Sequence, residues 1–380
     1  MNNQVEQAVQ AFRTLLEEQI ARSDAMTRSR TISDFHSAKR IVVGVCLGDG
    51  IGPIIMREAQ RVIEYMLADD IKSGRIVIKK IEGLTLENRE ACKKAIPDDV
   101  LAEIKSCDVL IKGPTTTPKG GTLESANVAL RRELDLYANV RPVSVPKEGI
   151  DWTFFRENTE GEYVLGSRGI EIDGKLAVDF KVTTDAGTKR IARAAFEYAR
   201  KSGKTNVSIV TKANIMKKTD GKFSLLCHEV AKEYPEMFVD DYYIDIMTAN
   251  LLNENVRSKY QVFILPNLYG DIITDEAAQI QGGVGTAGSA NIGDRYAMFE
   301  AIHGSALRMV EEGLSEYANP SSILKAAAML MRHIGYGEKA DALETALSVC
   351  NDTERRLVVT GDKTGVTCGE FVDYLMEKLN

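Results

Sequence analysis

The sequence predicts an α/β protein built on a largely parallel sheet, and two observations carry that prediction. Short apolar runs of four to six residues recur along the chain, as strands buried on both faces do. Between them lie segments whose apolar residues repeat at helical spacing, and such alternation of strand and helix builds parallel sheets. With 380 residues, 44% apolar and 27% charged, the chain has ample material for a core and enough length for two domains.

The elements follow in order. Val5, Val9, Phe12, Leu15, Leu16 and Ile20 have helical spacing and predict an N-terminal helix. That helix either packs on its own domain or adds a contact between subunits. Ser23 to Arg40 is polar and reads as a linker. Ile41–Cys46 is an apolar run closing on glycines, a buried strand, and Pro53 to Leu67 is the helix after it. Cys107–Ile111, Val207–Val210 and Val262–Leu265 are further buried strands. Thr188 to Ser202 and Lys222 to Tyr234 are helical, as is most of Ser321 to Val349. No internal repeat or low-complexity tract interrupts the pattern.

Bulk properties exclude several classes of function. A formal net charge of -7 repels nucleic acid and anionic membrane surfaces, so an anionic substrate needs a local basic cluster. The six cysteines are scattered and form no C-x-x-C, which argues against a zinc ribbon or redox dithiol and fits a reducing cytoplasm. No apolar run approaches the roughly 18 residues that span a bilayer. The first forty residues lack the apolar core of a secretory signal and are too acidic for a typical transit peptide.

Four segments carry candidate chemistry. Gly48-Asp49-Gly50-Ile51-Gly52-Pro53 follows the first strand, but its spacing is not the dinucleotide fingerprint G-x-G-x-x-G. A tight turn with proline at the helix start explains it as well. Ser125, Asn127 and Arg131 sit near the start of a helical stretch, with Arg141 beyond its end and Arg156 further on. Guanidinium groups grip carboxylates bidentately, so this set could clamp a polycarboxylate; surface salt bridges would give the same spacing. Asp271 and Asp275 are four apart just after a strand, on one helical face. All-oxygen ligands suit Mg²⁺ or Mn²⁺, while two acids favoured by a helix dipole are the alternative. Last, Phe299 to Ala306 follows the glycine-rich stretch Gly282 to Gly293, and a loop of small residues around His303 can bring backbone N–H groups to a phosphate or an adenine.

Together these segments resemble the β-decarboxylating dehydrogenases, the family of isocitrate, 3-isopropylmalate, homoisocitrate and tartrate dehydrogenases, from about Ile41 to the C-terminus. The likeness rests on Gly48–Pro53, Arg156-Glu157-Asn158-Thr159-Glu160-Gly161-Glu162-Tyr163, Lys212-Ala213-Asn214, Asn267-Leu268-Tyr269-Gly270-Asp271, His303-Gly304-Ser305-Ala306 and Asn319-Pro320. It implies a large α/β cofactor-binding domain made by both chain ends (41–137 and 282–380). It also implies a smaller central α/β domain for dimerisation and metal binding (138–281), and an active site in the cleft between the two. Residues 1–40 are an extension of helix plus linker.

The resemblance further implies that Arg131, Arg141 and Arg156 hold substrate carboxylates. Tyr163 is an acid, and Lys212 of the neighbouring subunit a base or proton relay. Asp271 and Asp275, with the partner's Asp245, hold the metal. Thr116 and Thr117 lie near substrate and nicotinamide, and His303 to Ala306 with Asn319 line the adenosine half of NAD or NADP. Homodimers with shared active sites follow, with higher assembly through the N-terminal helix as a further option.

Within the family, Ser125 and Asn127 match the hydroxyl and amide that meet isocitrate's third carboxylate, with homoisocitrate and 3-isopropylmalate as alternatives. Glu124 departs from the basic residue some isocitrate enzymes carry. At the cofactor, Arg308 and Met309 match neither the NAD pattern (an acid) nor the NADP pattern (lysine, tyrosine). Ala318 resembles the NAD form, Val358 stands where some NADP enzymes are basic, and the His303–Asn319 loop is about three residues longer than usual in the family. The balance favours NAD. The reading from another class is a non-catalytic regulatory subunit, but Tyr163, Lys212, Asp245, Asp271 and Asp275 are all in place for catalysis.

Overall fold

The computed structural model describes residues 2–26, 32–118, 123–166 and 168–379. The chain divides into two compact units: residues 1–31 with 137–277, here the central unit, and residues 32–136 with 278–380, the terminal unit.

The terminal unit is organised around Ile41–Cys46. This strand pairs in parallel with Ile76–Ile81 on one side and Val109–Lys112 on the other. Val109–Lys112 is in turn parallel to Ala297–Ala301, which closes antiparallel against Gly288–Ile292. Every residue of Val109–Lys112 and Ala297–Ala301 is buried, as expected of central parallel strands covered on both faces. The helix Gly52–Met66 carries proline in its first turn, where its missing N–H costs nothing, and buries Ile55, Met56, Ala59, Val62 and Ile63. Ser321–His333 and Gly337–Ser348 supply the helices expected near the C-terminus. The glycine-rich stretch Gly282 to Gly293 contains the buried strand Gly288–Ile292. Its small residues admit close helix packing: a Cβ on Gly288 would meet the Ala326 nitrogen at 2.6 Å.

Five strands of the central unit pair side by side, and Ile170–Ile172 and Leu176–Val178 form a separate antiparallel pair. Ala138–Val145 is antiparallel to Ile150–Glu157, which is parallel to Val262–Leu265. Asn206–Thr211 and Phe238–Tyr243 extend the sheet in parallel. Its core is aromatic, with Phe154 and Phe263 stacked at 4.3 Å and Trp152 set edge-on to both. Asp185–Ser202 is capped by Thr184, which accepts from Gly187 N, and ends on Gly203 in the left-handed region. The N-terminal helix Asn2–Met26 packs within this unit. Leu15 is buried against Val164 and Leu165, and Phe12 stacks on Phe180 at 5.2 Å.

Of the polar stretch read as a linker, 23–26 complete the helix and 27–31 lie outside the described residues. Phe35 is not free linker: it is buried in the terminal unit, its ring 5.2 Å from that of His333. The six cysteines are free thiols, five of them buried, and burial pushes Cys46 and Cys368 up to about 12, which makes them inert. Among the described residues no helix is long and apolar enough to cross a membrane.

Candidate active site

The central unit gathers Arg141, Arg156, Tyr163, Asp271 and Asp275. Arg156 ends the strand Ile150–Glu157 and is fully buried. Asn267 opens the helix Asn267–Gln281, and its Oδ1 accepts from Arg156 Nε and Nη2 at 2.9 and 2.7 Å. That fixes the plane of the guanidinium and turns Nη1 onto Asp271. Gly270 makes this approach possible, because a Cβ there would lie 2.6 Å from Arg156 Cγ. Tyr163 donates its hydroxyl to Asp271 Oδ2 at 2.7 Å, and the Arg156 guanidinium lies over its ring at 5.3 Å. Arg141, on the neighbouring strand, reaches Thr274, Asp275 at 3.2 Å and Asp271 at 3.7 Å. Two guanidinium groups therefore face two carboxylates one helical turn apart.

The pairing of those carboxylates has a cost. Burial raises the Asp275 pKa; Arg141 pulls it down and the Asp271 charge pushes it up again. A hard divalent cation would relieve that repulsion and prefers such oxygens, so Asp271 and Asp275 fit Mg²⁺ or Mn²⁺. Among the described residues no group of three or more His, Cys, Asp or Glu converges within one chain. Asp245 lies apart from this pair, near the start of Ile244–Leu252, where it forms an ion pair with Lys212 Nζ. The backbone N–H of Lys212 donates to Asp220 Oδ2 at 2.7 Å, and Asp220, fully buried, is also held by Lys181. The structure thus brings Tyr163 to the aspartates and arginines, and Lys212 to Asp245.

In the terminal unit, the Gly48–Pro53 turn buttresses the segment after strand Val109–Lys112. Asp49 Oδ2 accepts from Thr116 N at 2.7 Å, and Asp49 Oδ1 from Leu86 N at 2.8 Å. Ile51 N donates to the Ser305 carbonyl at 3.0 Å, and the Thr116 and Ser305 hydroxyls are 2.7 Å apart. The turn therefore links Thr116 to the His303–Ala306 loop rather than forming a simple pyrophosphate site of its own. Arg89, fully buried, donates to the carbonyls of Ala95, Thr116 and Glu124 and so holds both ends of the 116–124 segment. Asn127 Oδ1 accepts from Thr115 Oγ1 at 3.0 Å; Ser125 precedes the helix Ala126–Glu133 half-buried, and Thr117 is exposed.

Arg131, on that helix, meets Glu300 at 3.2 Å, and Lys112 meets the other Glu300 oxygen at 3.0 Å. Asn291 also donates to Glu300, at 2.8 Å, and although burial opposes it, Lys112 and then Arg131 hold the carboxyl down at about 2. Arg131 Nε is buried without a partner, an orphan donor suited to an incoming carboxylate. Desolvation lowers the His303 pKa, opposed by its Nδ1 contact with the Gly304 carbonyl at 3.0 Å. Arg308 is exposed and paired with Glu312 at 2.6 Å; Asn319 Oδ1 accepts from Ser321 N at 2.9 Å.

Sequence reasoning missed Asn267, Glu300, Lys112 and Arg89 as parts of these constellations. Asn267 and Glu300 stand inside quoted motifs, next to residues that were singled out. Lys112 and Arg89 carry no local signal beyond a charge beside apolar neighbours.

The sequence matches the family profile described as isocitrate/isopropylmalate dehydrogenase over residues 42–375. It is 39% identical over 313 residues to the NADP isocitrate dehydrogenase of Rickettsia prowazekii, covering 80% of this chain and 62% of that one. The chain therefore spans about three-fifths of the length of that relative. It is 35% identical over 348 residues to subunit 2 of the mitochondrial NAD isocitrate dehydrogenase of Schizosaccharomyces pombe, covering 89% of this chain and 87% of that one. The crystal structure of isocitrate dehydrogenase from Methylococcus capsulatus superposes with a TM-score of 0.79 at 34% identity, covering 89% of this chain and 99% of that one.

Proposed function

Because the chain belongs to the isocitrate/isopropylmalate dehydrogenase family, we propose that it oxidises and decarboxylates isocitrate to 2-oxoglutarate and CO2 with reduction of NAD. The observation that carries this reading is the cluster of Arg141, Arg156, Tyr163, Asp271 and Asp275. Cations matched to carboxylates, a phenol and two acids suited to a hard metal are what an anionic 2-hydroxy acid requires.

Arg141 and Arg156, with Arg131, grip the substrate carboxylates, and Ser125 and Asn127 meet the third one. The substrate carboxylates then replace Asp271 and Asp275 as partners of the two guanidinium groups. Asp271 and Asp275, with the partner's Asp245, hold Mg²⁺ or Mn²⁺, which when bound acidifies the 2-hydroxyl and stabilises developing negative charge. Lys212, acting in the neighbouring protomer's site, accepts the hydroxyl proton while hydride leaves C2 for the nicotinamide. The bond from C3 to its carboxylate breaks, CO2 departs and the electron pair forms an enolate. Tyr163 delivers the proton held at its Oη to C3. Thr116, Thr117, the His303–Ala306 loop and Asn319 position the cofactor. NAD is preferred because Arg308 is exposed and already engaged by Glu312, with no lysine–tyrosine pair to meet a 2′-phosphate. Among the described residues Asp245 forms no group of three acids with Asp271 and Asp275 within one chain, which supports a homodimer that shares its sites.

The test is the absorbance of reduced nicotinamide with purified protein, Mg²⁺ or Mn²⁺, either cofactor, and isocitrate, homoisocitrate or 3-isopropylmalate in turn. Turnover fastest with isocitrate and NAD, abolished by a chelator, is expected. No reduction of either cofactor with any of the three refutes the reading. Turnover that appears only with an added partner chain assigns the protein a regulatory role.

A further inference from the structure

The N-terminal helix lies outside the family match yet reaches the segment that carries Tyr163. Arg22 Nη2 donates to the Thr159 carbonyl at 3.1 Å and to Thr159 Oγ1 at 3.3 Å, and Nη1 meets Glu160 Oε1 at 3.3 Å. Glu160 is buried, and its carboxylate also accepts from Thr184. Its carbonyl accepts from Asn267 Nδ2 at 2.9 Å. Asn267 is the residue whose Oδ1 orients Arg156, and Arg156 in turn holds Asp271, the acceptor for Tyr163. A continuous chain of hydrogen bonds thus runs from Arg22 to the Tyr163 hydroxyl. Two turns earlier on the same helical face, Leu15 packs on Val164 and Leu165, the residues directly after Tyr163.

We propose that Arg22 is a positioning residue: with Leu15, on the same helical face, it holds the 158–166 segment at two points, before and after Tyr163, and so sets Arg156 and Tyr163 for proton delivery. Charge-assisted bonds to largely buried partners are the strong kind, whereas the other helix tie, Glu18 to Arg168, joins two exposed side chains. The electrostatics of the segment agree. Glu157, wholly buried, is pushed up to about 7, first by burial and then by the Glu160 charge, against the pull of Arg190 and Arg22. Arg190, which donates to Thr159 Oγ1 at 2.8 Å, is a second cation at this acidic turn and stays in place when Arg22 is removed.

As a statement about proton delivery this rests on the function proposed above; as a statement about the clamp it does not. The experiment compares wild type with Arg22→Ala, Arg22→Lys and, as a control on the same helix, Glu18→Ala. Readouts are kcat, substrate KM, Tm and hydrogen exchange of the backbone amides in 158–166. Arg22→Ala should lower kcat about tenfold, the size typical of losing an outer-shell partner, with KM within about twofold and a fall in Tm from the loss of the Glu160 partner. Exchange over 158–166 should quicken about tenfold on the same grounds. Arg22→Lys should recover part of both losses, and Glu18→Ala should leave both unchanged. Unchanged kcat and exchange in Arg22→Ala, or equal losses in Glu18→Ala, overturn the proposal. If wild type turns over no substrate, the functional reading fails, and exchange alone decides the clamp by the same comparison.

Discussion

Replacing Glu300 by glutamine tests the electrostatic frame of the terminal unit. The Glu300 carboxylate lies between Lys112 at 3.0 Å and Arg131 at 3.2 Å, with side chains 0% and 10% exposed. Both neighbours are donors only, and Asn291 adds a third donor on the same carboxylate. Glutamine keeps one acceptor but turns an amide N–H₂ toward one of the cations and leaves two buried positive charges without their counter-charge. A carboxyl held at about 2 rather than its ordinary 4.5 corresponds to roughly 3 kcal/mol in favour of the charged form. Breaking one member of a buried ion cluster costs a similar 3–5 kcal/mol, as an order of magnitude. For a unit of this size that is a fall in Tm of about 6–20 °C at neutral pH. The sign with pH follows from the depressed pKa. The contribution is complete above the unfolded value of 4.5 and is lost as pH falls toward about 2. Scanning calorimetry of wild type and Glu300→Gln should therefore show a gap at neutral pH that closes across that acidic window. A gap under about 1 °C at neutral pH, or one that persists unchanged into acid, refutes the reasoning.

Three further outcomes follow from the geometry. Asp271→Asn keeps an oxygen for Arg156 but removes the charge between the guanidinium groups, so initial rates at saturating metal should fall at least about a hundredfold with Tm nearly unchanged; full activity would remove Asp271 from the metal site. Gly50→Ala puts a Cβ 2.0 Å from the Ser305 carbonyl at a φ of +61°, which should cost about 2–4 kcal/mol and weaken cofactor binding, measured by Tm and by cofactor titration; an unchanged Tm would show that the turn is not tightly held. Substrate and metal should bind with positive coupling, because the substrate frees Asp271 and Asp275 from Arg156 and Arg141 while the cation frees the arginines from the aspartates. A substrate KM that does not change with Mg²⁺ concentration contradicts that exchange.

How far the fold can be read from the sequence depends on which strand is asked. Ile41–Cys46, Val109–Lys112, Asn206–Thr211 and Val262–Leu265 lie between parallel neighbours, and their apolar runs announce them. Phe238–Tyr243, paired on one side and largely exposed, carries two acids, Asp240 and Asp241, at its centre and gives no such signal. Ala138–Val145 and Ile150–Glu157 are hidden for a different reason: Asn139, Arg141, Pro142 and Ser144 break up the first, and Asp151 and Thr153, with Arg156 and Glu157 at the end, break up the second. Both strands carry arginines of the candidate site, and polar residues gathered there weaken the apolar signal.

The candidate site divides the same way. Asp271 and Asp275 lie on one helix, and Ser125 and Asn127 at the start of another, so local spacing is enough to find them. Lys112, Arg131, Asn291 and Glu300 come from four separate elements and meet only because the strands are ordered as they are. Taken singly, each looks like a charge or amide at the margin of an apolar run. Their burial becomes intelligible once they are seen together, since none of the three charges could be held away from water without the other two. That mutual dependence explains why the cluster escapes a reading by motif, and why removing Glu300 should be felt across the whole unit rather than at one contact.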